Sequence, residues 1–298
     1  MNAADSLNPH VLVKISDDVP EEQHDAIRSS VAVMASQSAE QTRQAVERNR
    51  VDTKRTKRLS GPLKDLVMTD EDAADAFKEE TDSLDAAVEL PPPPEWPPVT
   101  IIEGEPEGVV DAPPQTHVAP WHFQWQWHAG DPPSTSKQDR PNGRIELWTH
   151  ADQNHNWSDC HGGFGIALTS NRVVAAAGRS LRRTNHRYYV HGGSFGGNAT
   201  VEGGCEMTAI EGGRVLSAAR DKRFRHRVSG GERYRWDEPG YETGDAIQVD
   251  WIMQPGRTYT FNVGCWVFGE AHGGLGTASI GSVSIYGQII TLNVFLTD

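Results

Sequence analysis

From Trp121 onward, apolar and polar residues alternate with a period of two, the spacing at which side chains share one face of a β-strand. In the segment WHFQWQWH, Trp121, Phe123, Trp125 and Trp127 fall on one face, and histidines and glutamines fall on the other. Short segments of the same kind recur to the C-terminus, separated by Gly-Gly, Asp-Pro, Gln-Pro-Gly and Pro-Asn-Gly turns. The pattern predicts a mainly β fold, with an antiparallel β-sandwich or jelly-roll-like C-terminal domain.

Aromatic residues and charge divide the chain at nearly the same place. Of the 23 Phe, Trp and Tyr residues, only Phe77 precedes Trp96, and residues 1–111 carry all of the net charge of −13. Ten of the 18 prolines lie between residues 91 and 120, which favours a stiff polyproline spacer. We therefore expect an acidic helical arm (1–90), a Pro-rich linker (91–120) and a β-sandwich domain (121–298). An acidic arm repels nucleic acid, so we expect no nucleic-acid partner.

The arm contains signals for one short strand and two helices. Residues 10–16 alternate weakly, and Pro20 with Glu21 and Glu22 marks a helix start. Ser60-Gly61-Pro62 predicts a break, and a second helix is expected from about Leu63 or Thr69 to Leu90. Three arrangements stay open: helices docked as a hairpin or on the β body, an oligomerising stalk, or disorder until a partner binds.

One further likeness concerns the aromatic strands. The strand Phe123-Gln-Trp125-Gln-Trp127 after a Pro-rich lead resembles a set of bacterial β-sandwich proteins of unassigned function. The later strand at 259–268, with its Cys265-Trp266 pair, is similar to them as well. The resemblance covers about the last 180 residues and implies the sandwich fold without an activity. The four aromatic residues from Trp121 could stack on sugar rings, although a core strand is favoured, because soluble proteins avoid large exposed apolar patches.

The segment 149–161 is the best candidate for a metal site. Its potential ligands are His150, Asp152, Asn154, His155, Asp159 and His161. Asp152, Asn154 and Asn156 repeat the start of a calcium loop, but Trp157 stands where the turn needs glycine. The histidines with Cys160 would suit zinc if the fold brought three of them together. The simpler interpretation is a polar loop with exposed histidines and no cofactor.

Three Gly-rich segments begin with His-Gly-Gly, at 161–165, 191–197 and 272–276. The middle one contains G-x-S-x-G at Gly192, Ser194 and Gly196, but a strand follows it where a serine hydrolase needs a helix. Glycine turns between strands explain all three. If their tips meet at one end of the sandwich, we expect a ligand-binding rim with His191, Ser194 and His272.

Arg223, Arg225 and Arg227 alternate with apolar or aromatic residues, which on a strand predicts a cationic stripe. A solvated outer face, ion pairs with the acidic arm, and recognition of an acidic sugar or phosphate are the open interpretations.

These features favour a non-enzymatic recognition or assembly protein, lectin-like, that binds a glycan, a protein or its own copies. A homo-oligomer is expected, and no catalytic residue is assigned. The alternatives are a metal-assisted hydrolase that uses segment 149–161, and a toxin-like effector.

Three further features concern the compartment. No basic segment followed by an apolar one marks a signal peptide, and no apolar run reaches the length that spans a bilayer. Three widely spaced cysteines are no disulfide framework. We expect synthesis in a reducing cytoplasm, with release by lysis or a dedicated export machine as the other route.

Overall fold

The structure is a computed structural model that describes residues 9–76, 79, 115–131, 134–152, 156–275 and 278–297. Most of the predicted second helix and of the Pro-rich linker therefore lies outside the described residues. The described elements are one long helix, one 3-10 turn at Arg140–Asn142 and thirteen strands. In chain order they are β1 (His10–Ile15), α1 (Glu21–Val67), β2 (Gln115–His117), β3 (Phe123–Gly130), β4 (Ser134–Asp139), β5 (Arg144–Ala151), β6 (Trp157–Thr169), β7 (Val174–His191), β8 (Asn198–Glu211), β9 (Arg214–Ser229), β10 (Arg233–Asp237), β11 (Glu242–Met253), β12 (Thr258–His272) and β13 (Ile280–Thr297).

The strands form two sheets, and every pair of neighbouring strands is antiparallel. The six-stranded sheet has the order β1-β3-β6-β12-β8-β9. The seven-stranded sheet is built on β7 and β13, which pair over almost their whole length. β10 and β11 pair with successive parts of β7, β5 and β2 with successive parts of β13, and β4 lies outside β5. The predicted mainly β, antiparallel sandwich with a helical N-terminal segment is confirmed.

The space between the sheets is filled by alternate residues of the long strands, as period-two burial requires. Phe164, Phe261 and Val263 come from the six-stranded sheet, and Ile285 and Val294 come from the seven-stranded sheet. All five side chains are fully or almost fully buried. The sandwich core therefore consists mainly of aliphatic and Phe side chains.

The three aromatic residues Phe123, Trp125 and Trp127 lie outside this core. They project from the outer face of the six-stranded sheet and pack against Ile27 and Val31 of α1. Trp121 is the member of the segment that reaches the space between the sheets. The predicted burial is correct, but the helix rather than the second sheet covers these rings. β1 also pairs with β3, so the first strand and the helix are both built onto the body.

Helix α1 begins at Glu21, as expected, but it continues through Ser60-Gly61-Pro62 to Val67, so the predicted break is wrong. Pro62 is exposed, and its ring therefore disturbs no packing where it interrupts the hydrogen-bond ladder. A turn follows, and residues 71–76 are helical again. The Asp70 carboxylate accepts a hydrogen bond from the Ala73 amide at 3.1 Å, so Asp70 caps this segment.

Candidate functional site

His161 lies at the centre of a charged cluster between α1 and the six-stranded sheet. Its Nδ1 is 2.5 Å from Glu206 Oε1, and its Nε2 is 2.9 Å from Asp159 Oδ1. The ring stacks on Trp127 with centroids 3.7 Å apart. Neighbouring strands position these groups, since β6 carries Asp159 and His161 two residues apart on one face, and β8 carries Glu206.

The helix and the edge strand β9 complete this cluster. Thr42 Oγ1 donates to Asp159 Oδ2 at 2.7 Å. Arg220 Nη2 donates to Glu206 Oε2 at 2.7 Å and to Ser38 Oγ at 3.0 Å. The Arg220 guanidinium lies 4.6 Å from the centroid of the Trp266 ring, which is within cation–π distance. The cluster therefore ties α1 to the sheet.

The charges of the cluster set its pKa values. Burial lowers the pKa of His161, but Glu206 and Asp159 raise it more, so the pKa ends above its usual 6.5. Burial raises the pKa of Glu206, but His161 and Arg220 outweigh this and hold it at about 2. Both ring nitrogens of His161 are occupied by carboxylates. His161 is thus held as a structural cation, and neither nitrogen is available to a substrate or a metal.

Two small cavities flank Arg220 between α1 and β9, each of about 220 Å³. Ligand pockets in proteins are usually larger, from ~300 to ~1,000 Å³. A third cavity of about 470 Å³ is a shallow hollow on the outer face of the seven-stranded sheet, with Ala175, Ala177 and the exposed Ile252 among its lining residues. The hollow is large enough for a ligand, but the residues that line it offer a single charged side chain, Asp250.

The predicted metal ligands are not gathered at one point. The segment 149–161 is not one loop, because β5 runs to Ala151 and β6 starts at Trp157. β5 belongs to the seven-stranded sheet and β6 to the six-stranded sheet, which separates His150 from His161. His150 lies 3.8 Å from Asp152, and Asn154 and His155 lie outside the described residues. Among the residues that the structure describes, no group of three His, Cys, Asp or Glu could hold a metal ion.

Two of the three Gly-rich segments meet at one end of the sandwich. The Leu275 amide donates to the Phe195 carbonyl at 3.2 Å, and Gly197 and Gly274 approach too closely for any side chain. His191 and Ser194 are buried there.

His272 is buried at the same end of the sandwich, and helix α1 reaches it through Glu270. His272 Nε2 lies 2.6 Å from Glu270 Oε1, and Asn49 donates to the other Glu270 oxygen at 2.7 Å. This end of the sandwich is closed by internal contacts.

The remaining Gly-rich segment is not a turn, because residues 161–165 lie within β6. Gly163 and Gly165 face outward there, and the rings of Trp125 and Phe123 lie directly over them. Because these glycines have no side chains, the aromatic rings of β3 pack directly on the backbone of β6.

The predicted arginine stripe is divided. Gly203 pairs with Phe224 and Gly204 with Lys222, so Arg223 is the extra residue of a β-bulge in β9. Arg223 Nη2 donates to Glu242 Oε2 at 2.7 Å, whereas Arg225 and Arg227 are exposed. Arg223 is thus an ion-pair residue, and the cationic surface on β9 consists of the other two arginines.

Among the described residues, the most exposed aromatic side chains belong to a group that the sequence motifs above did not indicate. Where the sheet edges β9 and β10 face each other, six rings form an assembly that we call the aromatic edge: His186, Tyr188, Phe224, His226, Tyr234 and Trp236. His226 stacks on Tyr234 at 4.2 Å, and His186 stacks on Phe224 at 4.3 Å, both within 8° of parallel. Tyr188 joins the two pairs, at 5.4 Å from Phe224 and 6.0 Å from Tyr234. The alternation of Arg and aromatic residues at 233–236 was the available signal.

The aromatic edge is rigid on its inner side. His186 Nδ1 lies 2.9 Å from Glu238 Oε2, and the same oxygen accepts from the His186 amide at 2.8 Å. Burial and the neighbouring Tyr234 raise the pKa of Tyr188 to about 12, so its hydroxyl stays neutral. On the outer side, Tyr234 is 39% and Trp236 40% exposed. The assembly therefore presents two large rings to solvent on a fixed base.

No known family model and no curated protein matches this sequence. Among solved structures, a structure of infectious bursal disease virus, Gx strain, is 10% identical with a TM-score of 0.15, over 69% of this chain and 46% of that chain. A CocE/NonD family hydrolase from Staphylococcus aureus is 7% identical with a TM-score of 0.14, over 57% and 37%. The isomalto-dextranase of Arthrobacter globiformis T6, complexed with panose, is 8% identical with a TM-score of 0.13, over 61% and 36%. The chain spans less than half the length of each, and likenesses this weak carry no information on function.

Of the helices within the described ranges, none has the length and apolar character that crossing a bilayer requires.

Proposed function

We propose that the protein is a non-enzymatic recognition protein whose aromatic edge binds an anionic glycan. The observation that carries the proposal is the exposure of Tyr234 and Trp236, at 39% and 40%, on top of stacked and largely buried rings. Soluble proteins seldom expose neighbouring large aromatic side chains unless these bind something. Because the rings beneath are fixed, little side-chain entropy is lost when a ligand stacks on them.

The charge next to these rings suggests the class of glycan. Arg233 and Arg235 are exposed on β10, on the strand face opposite to Tyr234 and Trp236, and Arg235 Nε also donates to Asp237 Oδ2 at 3.1 Å. Arg225 and Arg227 are exposed on β9, on the strand face opposite to Phe224 and His226. The arginines therefore flank the rings on the two outer sides of the aromatic edge. A guanidinium group donates two parallel hydrogen bonds to a carboxylate or sulfate, while the apolar face of a sugar ring stacks on an aromatic ring. Uronic-acid or sulfated glycans offer both groups.

The hydrolase alternative has less support. Its two described candidate histidines, His150 and His161, belong to different sheets, and His161 is enclosed by Glu206 and Asp159. Because both ring nitrogens of His161 already bind carboxylates, neither can take part in acid–base or metal chemistry.

A panel of immobilised neutral, uronic-acid and sulfated glycans tests the proposal with the full chain. We expect binding to acidic members and at least tenfold weaker binding for Trp236→Ala, since truncating a Trp in a binding patch typically costs more than ~1.4 kcal/mol. Ile252→Ser is the matched control, because Ile252 is exposed in the hollow on the other sheet face. Absent binding to any glycan would overturn the proposal, and so would loss of binding in Ile252→Ser with retention in Trp236→Ala.

Assembly is the second candidate function, and the end of α1 favours it. Leu59, Leu63 and Leu66 lie on one side of the helix and are 56–75% exposed. Residues 54–58 include four basic side chains, and residues 70–75 include four acidic ones. An antiparallel pairing of two copies centred between Leu63 and Leu66 would cover the leucines and bring basic residues against acidic ones. A second copy of this chain is therefore the proposed occupant.

Light scattering at several concentrations measures this association. We expect a dimer that becomes a monomer in Leu63→Glu/Leu66→Glu, and also in high salt if the ion pairs contribute. Val173→Glu is the control, because Val173 is equally exposed on the body at 56%. A monomer in the unaltered protein, or a dimer that survives the double substitution, would contradict the assembly role.

A further inference from the structure

Cys205 and Cys265 face each other across two adjacent strands. They are register partners in the β8–β12 pair, and their sulfur atoms are 3.8 Å apart. Both side chains point into the sandwich core and are fully buried. Directly opposed residues of antiparallel strands have Cα atoms ~4.5–5.5 Å apart, which falls inside the ~4.4–6.8 Å range of disulfides. The two thiols can therefore be joined without separating the strands.

A buried arginine lies against this pair. Arg182 is only 1% exposed, its positive charge lowers the pKa of Cys205, and its Nη2 donates a hydrogen bond to Asp221 Oδ2. A guanidinium is costly to bury unless anionic partners compensate it. Asp221 supplies one such partner, and a Cys205 thiolate would be a second.

A chain of alternating charges connects Arg182 with solvent. Asp221 Oδ2 also lies 3.8 Å from Arg223 Nη1, and Arg223 Nη2 donates to Glu242 Oε2 at 2.7 Å. The Glu242 side chain is 63% exposed. Gly244 of β11 lies beside both guanidinium groups, since a Cβ there would be 3.4 Å from Arg182 Cζ and 3.5 Å from Arg223 Nη1. These charged groups form a continuous polar connection between the Glu242 carboxylate at the surface and the buried Cys205.

The two sulfur atoms are not equivalent. The hydrogen bond from Cys265 is the largest effect that lowers the pKa of Cys205; burial opposes it, and the positive charge of Arg182 lowers the pKa further. The same hydrogen bond and burial raise the pKa of Cys265 well above its usual range. Cys205 is therefore the more readily ionised sulfur of the pair, and Cys265 the less readily ionised one. Thiolates are the reactive form towards peroxides.

We propose that Cys205 and Cys265 form a peroxide-sensitive dithiol site that closes into a cross-strand disulfide. The Cys205 thiolate attacks one oxygen of hydrogen peroxide, the O–O bond breaks, and Cys205 becomes a sulfenic acid while hydroxide leaves. Hydroxide takes the proton of Cys265, whose sulfur attacks the sulfenic sulfur and releases the second hydroxide, which is protonated to water. In total, two thiols are oxidised to one disulfide and one peroxide is reduced to two waters.

Cys160 provides an internal control. It is buried in β6, and its thiol donates to the Thr135 carbonyl at 3.5 Å. Burial raises its pKa far above the usual range. Cys160 should therefore stay reduced under conditions that oxidise the pair.

The experiment uses the reduced full chain treated with hydrogen peroxide, then unfolded and labelled with a maleimide reagent that adds mass. We expect the number of labelled thiols to fall from three to one, and peptide mass spectrometry to find Cys205 linked to Cys265. Cys160→Ser should still form this link. Three labelled thiols after excess peroxide, or a link through Cys160 or between two molecules, would overturn the proposal.

Two further variants separate reactivity from folding. Cys265→Ala should leave a Cys205 sulfenic acid that dimedone captures, whereas Cys205→Ala should yield no adduct at Cys265. Arg182→Met should slow disulfide formation at least tenfold, and circular dichroism checks that its fold is intact. An unchanged rate in a folded Arg182→Met protein would contradict the assigned role of the arginine, and dimedone capture at Cys265 would contradict the assigned order of attack.

Discussion

The imidazole of His161 lies flat against the indole of Trp127, with ring centroids 3.7 Å apart and planes 19° from parallel. The stack joins two different parts of one interface. On one side of it, apolar residues of α1 pack on Phe123 and Trp125. On the other side, Thr42 and Ser38 bind a buried carboxylate and Arg220. Apolar contacts thus hold the first turns of α1 on the sheet, and hydrogen bonds to charged side chains hold the turns around Ser38 and Thr42. Both kinds of contact make the helix part of the β body.

Replacing Glu206 by Gln should destabilise the protein strongly. The change leaves the fully buried His161 cation and the partly exposed Arg220 without their shared carboxylate, and breaking a buried ion pair from one side costs ~3–5 kcal/mol. Urea unfolding followed by circular dichroism measures the loss. Glu211→Gln is the control on the same strand, because its partner Arg257 is exposed, and little or no change is expected there. Equal losses of unfolding free energy in the two variants would show that the ion pairs of Glu206 stabilise the fold no more than an exposed ion pair does.

Stability should also depend on pH through His161. Its folded-state pKa is raised above 6.5, so its contribution is fully present below pH 6.5 and is lost as pH rises through the folded value. Glu206 acts in the opposite sense, because its pKa is about 2 when folded and near 4.5 when unfolded; its contribution is present above pH 4.5 and is lost as pH falls towards 2. Melting temperatures from pH 5 to 9 should decline on the alkaline side, and His161→Gln should flatten that decline. An identical slope in both proteins would assign the decline to other groups.

Gly163 should not tolerate alanine. A Cβ at this position would clash with the Val263 carbonyl oxygen and meet the Trp125 ring at 2.6 Å, so the backbone of β12 and the indole would both have to move. Overpacking of this kind costs ~1–3 kcal/mol. Gly240→Ala is the matched control, because a Cβ there meets nothing within 4 Å. Thermal unfolding of both variants checks the difference, and similar melting temperatures would mean that β12 and Trp125 move apart from Gly163 at little cost.

The fold was predictable because its signals are local. Period-two alternation in WHFQWQWH indicates one buried face of a strand, and Pro20 with Glu21 indicates the start of a helix, whatever lies elsewhere in the chain. The same alternation cannot say what covers Trp125, since a helix and a second sheet bury a strand face equally well. The break expected at Pro62 was wrong because a proline on an exposed helix face removes one hydrogen bond without any packing to disturb.

The clusters were beyond prediction because their members are far apart in sequence. Asp159 and Thr42 are 117 residues apart, and the rings of the aromatic edge come from three strands. Proximity within 149–161 suggested a metal site, but the chain changes sheet between β5 and β6 and carries His150 and His161 apart. Spacing along a sequence indicates a shared site only where the chain does not change layers.

Ile27 and Leu66 lie on the same helix in opposite environments, and alanine substitutions should separate them. Ile27 is fully buried in the cluster with Trp125, and removing such a side chain costs ~2–5 kcal/mol. Leu66 is 69% exposed on the single chain, so Leu66→Ala should change stability by less than ~0.5 kcal/mol at concentrations where the protein is monomeric. Urea unfolding should be monitored by far-ultraviolet circular dichroism at 222 nm, which mainly reports α1, and by amide hydrogen exchange in β7 and β13, which reports the other sheet. Because α1 is bound through both apolar and charged contacts, Ile27→Ala should shift both signals together to lower urea. If the circular dichroism transition alone moved, α1 would be a separately unfolding layer, and the sandwich would be stable without it.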